Sequence, residues 1–382
     1  MMRWMPFAFL LLQLAADAKK APEPAKEALA SAQRQVREVY RAEYAARGAD
    51  AKRLLAEKLL RKALESRADL PVFHVLLREA RDLAVESGST ETAVKAVEEV
   101  CASFEVDAVA WKTAAAEALA KSARAPGDAA ALVEFALAAG SEAVAVDDYK
   151  AARRMAETAG AAAKRAKDGA LLASSSKDFG EEVAALQRKF EAVQPSLEIL
   201  KKDPKSSAAN LAVGKFLCFA KGEWKKGLPH LARGSDAAYI SVAERDLACG
   251  PEPEQQTEVG NDWWEAAQAS SGPEKSAMRA RGATWYARAL PGLSALARDK
   301  ALARIEELAE EGFPRPRPGV ERPAGLAVAR FNGKDLQGWK PVSGAWRVAA
   351  GNLASTGGNE NRFLRSYVET TWVRITFEFL GG

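Results

Sequence analysis

The chain is 382 residues long, with 55 Lys and Arg against 51 Asp and Glu for a formal charge of +4, a hydrophobic fraction of 48% and a charged fraction of 28%. That balance belongs to a folded protein of two or three domains and excludes a disordered, collagen-like or multi-span membrane chain. His74 and His230 are its only histidines, and zinc spacing, a dinucleotide fingerprint and a Walker loop are all missing, so no metal or cofactor is expected.

In chain order, Met1-Met2-Arg3, the apolar run Trp4–Ala16 and the small-residue site Ala16-Asp17-Ala18 predict a secretory signal peptide over 1–18. The run is too short to cross a bilayer, which takes about 20 apolar residues. The mature chain is therefore expected to start at Lys19, to lie in the periplasm or outside the cell, and to carry no membrane span. Export permits disulfides, yet Cys101, Cys218 and Cys249 are too few and too odd in number for a disulfide framework. A Cys218–Cys249 bridge is available, but both are read as small apolar side chains that pack.

Residues 19–312 are read as one α-helical, repeat-like domain. Ala makes up about a fifth of the chain and is the best helix former. Leu29, Ala32, Val36, Tyr40 and Tyr44 fall on one helical stripe, and Leu55, Leu59, Leu60 and Ala63 on the next. Asp69-Leu70-Pro71 opens a helix carrying Val72, Val75, Leu76, Leu83 and Ala84, and Ser87-Gly88-Ser89 ends it. Val94, Val97, Cys101 and Phe104 mark the following helix. Further breaks fall at Ala125-Pro126-Gly127-Asp128, where Asp128 is assigned as N-cap, at Lys167-Asp168-Gly169 and at Asp203-Pro204. Helices of roughly 12–20 residues with short polar breaks describe antiparallel helix pairs.

One unit from Pro204 to Asp236 stands out. Leu211, Val213, Gly214 and Leu217 lie on a first helix, Lys221-Gly222 turns, and Trp224, Leu228 and Leu231 lie on a second. It resembles a tetratricopeptide unit, with the spacing after Gly222 off by about a residue and Gly227 where Ala is usual. A weaker copy starts near Val146-Asp147-Asp148-Tyr149 and runs through Ala151, Ala152 and Met155. Trp263-Trp264 and Trp285-Tyr286 are read as helix packing rather than as a sugar-stacking platform, because buried aromatics dominate core energetics. Together with Gly227–Asp236 and Asn261-Asp262, they resemble a helical module of exported bacterial proteins, which implies architecture and no chemistry.

Helical patterning stops at Gly312. Phe313-Pro314-Arg315-Pro316-Arg317-Pro318-Gly319 predicts a stiff extended linker over 313–325. Beyond it the period changes to 2, with short strands expected around Leu326–Phe331, Trp346–Val348 and Phe363-Leu364. In the last strand Val373, Ile375, Phe377 and Phe379 alternate with Trp372, Arg374, Thr376 and Glu378. The run Phe331-Asn332-Gly333-Lys334-Asp335-Leu336-Gln337-Gly338-Trp339-Lys340 resembles the opening of the 3-keto-disaccharide hydrolase family. Trp346-Arg347-Val348 with Gly351-Asn352-Leu353, and Thr371 to Phe379, are similar to its next strands. The resemblance covers residues 326–382 and implies a concanavalin-like β-sandwich and a carbohydrate ligand. Sandwich domains run to about 100 residues, so 326–382 is expected to be incomplete and inactive as a fragment.

The fold class predicted is thus mainly α: an antiparallel helix-pair array followed by a short, truncated antiparallel β segment. No catalytic residue is assigned. Glycoside hydrolysis ordinarily uses two flanking carboxylates, and the β segment offers Asp335, Glu360, Glu369 and Glu378 in positions where exposed carboxylates are ordinary. His74 and His230 sit on predicted helices, without a Gly-x-Ser-x-Gly elbow to serve. Basic charge is spread without the stripe of a nucleic-acid binder. Two functions follow. One is an exported helical protein carrying the front of a carbohydrate-acting hydrolase domain; the other is a helical scaffold for a protein partner in the cell envelope.

Overall fold

The computed structural model describes residues 20–167 and 169–310, with backbone alone for four short strands between 339 and 366. Its described part is mostly helical and repeat-like. The helices are α1 (Lys26–Val39), α2 (Arg41–Ala45), α3 (Ala49–Glu65), α4 (Leu70–Ser87), α5 (Thr90–Ser103), α6 (Ala108–Ser122), α7 (Pro126–Ala145) and α8 (Tyr149–Ala163). They continue with α9 (Gly169–Lys202), α10 (Ser207–Lys215), α11 (Trp224–Leu231), α12 (Ala237–Ala248), α13 (Pro253–Ala266), α14 (Gly272–Ala289) and α15 (Ala295–Glu310). The chain divides into two compact units, 1–180 and 181–382, and the division falls inside α9.

In the first unit most helices pack on their chain neighbours, α3 on α4 and α7 on α8 most extensively, while α1 packs chiefly on α4. Short connections leave little alternative to such pairing. Predicted stripe residues Ala32, Val36, Leu55, Leu59, Leu76 and Phe104 form one core, together with Phe73 and Val100, which lay outside the predicted stripes. Burying a leucine or phenylalanine side chain completely contributes about 1.5–3 kcal/mol. Asp69 caps α4 by accepting the Val72 amide at 3.2 Å, and Pro71 sits in the first turn, where its missing N–H costs nothing. Met155, Ala151, Ala152 and Tyr149 of α8 are buried as the weaker repeat copy requires.

Two local readings need correction. Asp128 does not cap its own helix, which begins at Pro126 with Ala125 as N-cap. Its carboxylate accepts the Thr90 amide at 2.9 Å, and its carbonyl accepts the Thr90 hydroxyl at 2.9 Å. It thus satisfies an orphan donor at the start of α5, because Pro126 starts α7 two residues earlier and leaves the side chain free to reach across. The helix α9, at 34 residues, is also longer than the expected range. Pro195 lies inside it and removes one backbone donor, yet the helix continues to Lys202.

In the second unit α10 runs into a π-helical turn, Phe216–Lys221, and Gly222 (φ 71°) turns the chain into α11. The π turn inserts an extra residue at the end of the first helix of this pair, ahead of Gly222. The pair closes on small residues. A Cβ on Gly214 would lie 2.8 Å from the Leu231 side chain, and one on Gly227 would overlap the Cys218 sulfur. Cys218, Phe219, Leu228, Leu231, Tyr239, Trp263, Met278 and Trp285 form the main core. Trp264, Tyr286, Ala301, Ile305 and Leu308 form a second one that holds α15 to α13 and α14.

Beyond α15, β1 (Trp339–Pro341) pairs antiparallel with β4 (Leu364–Ser366), and β2 (Ala345–Ala349) with β3 (Asn352–Thr356). The signal peptide expected over 1–18, the linker over 313–325 and the strand around Val373–Phe379 lie outside the described residues.

Candidate functional site

Sequence reasoning singled out two histidines, three cysteines, two aromatic pairs and four carboxylates. Asp335, Glu360, Glu369 and Glu378 lie outside the described residues. Cys101, Cys218 and Cys249 are all free thiols. Burial pushes the Cys218 thiol strongly up, which keeps it protonated and unreactive. Cys101 and Cys249 are raised for the same first reason.

The aromatic pairs are packing residues. Trp263, Trp264, Trp285 and Tyr286 are all buried, so they offer no face to a sugar ring. Burial favours an acceptor for each N–H or O–H; Trp263, Trp285 and Tyr286 find one, and the Trp264 indole N–H does not. Trp263 and Trp285 both donate to the Asp246 carboxylate, at 2.6 and 2.9 Å. Arg281 completes the shell through Nε at 2.9 Å and Nη2 at 2.7 Å, a bidentate pair. Its guanidinium also lies over the rings of Trp224 and Trp285. Asp246 and Arg281 are 4% and 6% exposed, so this is an ion pair inside the core, joining α12, α13 and α14. Nearby, Trp264 lies between the guanidinium groups of Arg279 (4.4 Å) and Arg304 (4.6 Å). Tyr286 donates to Asn261, and burial pushes its hydroxyl up to about 12.

A second buried carboxylate, Glu79, does similar work in the first unit. It accepts from Gln33 at 2.6 Å and Tyr44 at 2.8 Å, with Arg37 at 3.4 Å. Both hubs escaped sequence reasoning, because their members are up to 46 residues apart and Asp246 and Glu79 each read alone as a surface charge. The usable signal was the indoles, since a buried tryptophan N–H ordinarily seeks an acceptor, as those of Trp263 and Trp285 do at Asp246.

The histidines are not brought together with a nucleophile. His74 is buried on α4, with Phe104 and Trp111 edge-on to its ring. His230, on α11, has Nδ1 2.8 Å from Asn210 Oδ1; burial and then Arg233 lower its pKa. It borders an open groove along the second half of α9, lined also by Phe190, Gln194, Leu197, Glu198, Leu200 and Lys201. This groove mixes apolar and polar side chains. Among the described residues no group of three or more His, Cys, Asp or Glu could hold a metal ion, and no helix is long and apolar enough to cross a membrane.

No family model, curated protein or solved structure matches this chain.

Proposed function

We propose that the helical body is an exported protein–protein interaction scaffold of the cell envelope, built from tetratricopeptide-like pairs such as Ser207–Leu231. The observation that carries this reading is the groove between α9 and α11. There Phe190, Leu197 and Leu200 supply apolar contact, while Gln194, Glu198, Lys201 and His230 supply polar edges. Amphipathic partner helices are read by grooves of this kind through anchors at i, i+3 and i+7. Residues 1–18 serve as the export signal in this proposal.

A second reading rests on the run Phe331–Lys340, whose resemblance to the opening of 3-keto-disaccharide hydrolases favours a carbohydrate-acting domain carried behind the scaffold. One pair of assays separates the two. The chain, immobilised and exposed to envelope extract, is expected to retain one stoichiometric protein partner, which Leu197→Asp releases without lowering the melting temperature. Appreciable turnover of a 3-keto-glycoside by the purified chain, with no partner lost on that substitution, would overturn the scaffold reading in favour of the hydrolase.

A further inference from the structure

Residues 20–25 precede α1 as an extended segment laid against the first unit. The Ala21 amide donates to Ser103 O at 2.9 Å and the Glu105 amide donates to Ala21 O at 2.8 Å, forming a parallel bridge beside Phe104. Ala21 packs against the core there, with Val106 and Trp111. Two backbone bonds and one small side chain are a slight attachment, which local opening can break without unfolding the helices.

Below this segment lies His74, only 1% exposed. Neither of its ring nitrogens has a protein hydrogen-bond partner. Its nearest charged group is Glu23 of the segment itself, with Oε1 3.5 Å from Nε2. Arg78 and Arg81, on the same helix as His74, act on it with the opposite sign, and Arg81 lies over the Trp111 ring. Phe104 and Trp111, both uncharged, lie edge-on to its ring.

We propose that residues 20–25 form an acid-released strap, closed while His74 is neutral and opened when His74 takes up a proton. A buried imidazolium loses its hydration, and one half-exposed carboxylate at 3.5 Å is a poor replacement while two arginines oppose it. Opening the strap returns water to the ring. Burial foremost, with Glu23 acting against it, holds the closed-state pKa below the ordinary 6.5. Open His74 therefore binds a proton that closed His74 refuses as pH falls through 6.5, and closure weakens by up to about tenfold per pH unit. Closure is fully retained above that pH. Glu23 favours the charged ring, so removing its charge deepens the acid response.

Hydrogen exchange of the Ala21 and Glu105 amides tests this on the full chain between pH 7.5 and 5, after correction for intrinsic rates. Protection of both is expected to fall below pH 6.5 by up to about tenfold per unit, to fall further in Glu23→Gln, and to be flat in His74→Phe. Amides of α12 and α14 serve as the internal control. Flat protection in the unsubstituted chain, or the same decline in His74→Phe, overturns the proposal. With two histidines in the chain, ring-proton NMR resolves His74 directly once His230→Gln assigns it. The Ala21 and Glu105 shifts must titrate with the His74 midpoint, and midpoints about a pH unit or more apart would equally defeat the idea.

Discussion

Replacing Asp246 with Asn keeps the shape of the buried cluster and removes its charge. The Asn oxygen can still accept from Trp263 and Trp285, but its amide presents N–H groups to the Arg281 fork, which is itself all donor. A guanidinium 6% exposed is then left without its anion. Breaking a buried pair in this way costs about 3–5 kcal/mol, which for a unit of this size lowers the melting temperature by on the order of 10 °C. Replacing both partners at once, as Asp246→Leu with Arg281→Met, removes two charges rather than stranding one. It is expected to cost less than Asp246→Asn alone. Urea unfolding followed by tryptophan emission reads the site closely, since Trp224, Trp263 and Trp285 surround the pair. A loss below about 1 kcal/mol for Asp246→Asn, or a double variant worse than the single by several kcal/mol, would refute an ion pair that governs this core.

Other outcomes follow from the same packing. Gly227→Ala drives a methyl into the Cys218 sulfur and is expected to cost about 1–3 kcal/mol; adding Cys218→Ala should return part of that, as denaturant midpoints will show. Asp128→Ala should destabilise the first unit by about 1–2 kcal/mol and raise exchange of the Thr90 amide, while leaving the Ala129 amide at the start of α7 unchanged. Thiol labelling of the native protein should reach half-buried Cys249 well before Cys101 and Cys218, and three equal rates would contradict the observed burial.

How far the sequence could be read depended on range. Helix ends were legible because their chemistry is local. Asp69 and Pro71 start α4, and the Ser87-Gly88-Ser89 break stops it, all within a few residues. Interior stripes were legible because a period of 3.6 repeats along one element. Asp128 was misread for the opposite reason: its type suits a cap, but the helix it caps begins 38 residues earlier. The same applies to Asp246 and Glu79, whose neighbours give no hint of burial until three helices are assembled around each. The groove beside His230 was invisible in the same way, its lining coming from α9 and from His230 of α11, which only the fold brings together.

The π turn at Phe216–Lys221 acts as a phase-setter for the segment before it. Deleting one residue there would restore an ordinary helix, but it would swing everything upstream around the axis by about 100°. Asn210 would leave His230, and the flat back of Gly214 would no longer meet Leu231. An insertion that weakens the local ladder is thus what keeps two distant faces pointed at their partners, and a drifting lineage could discard it only by rebuilding both.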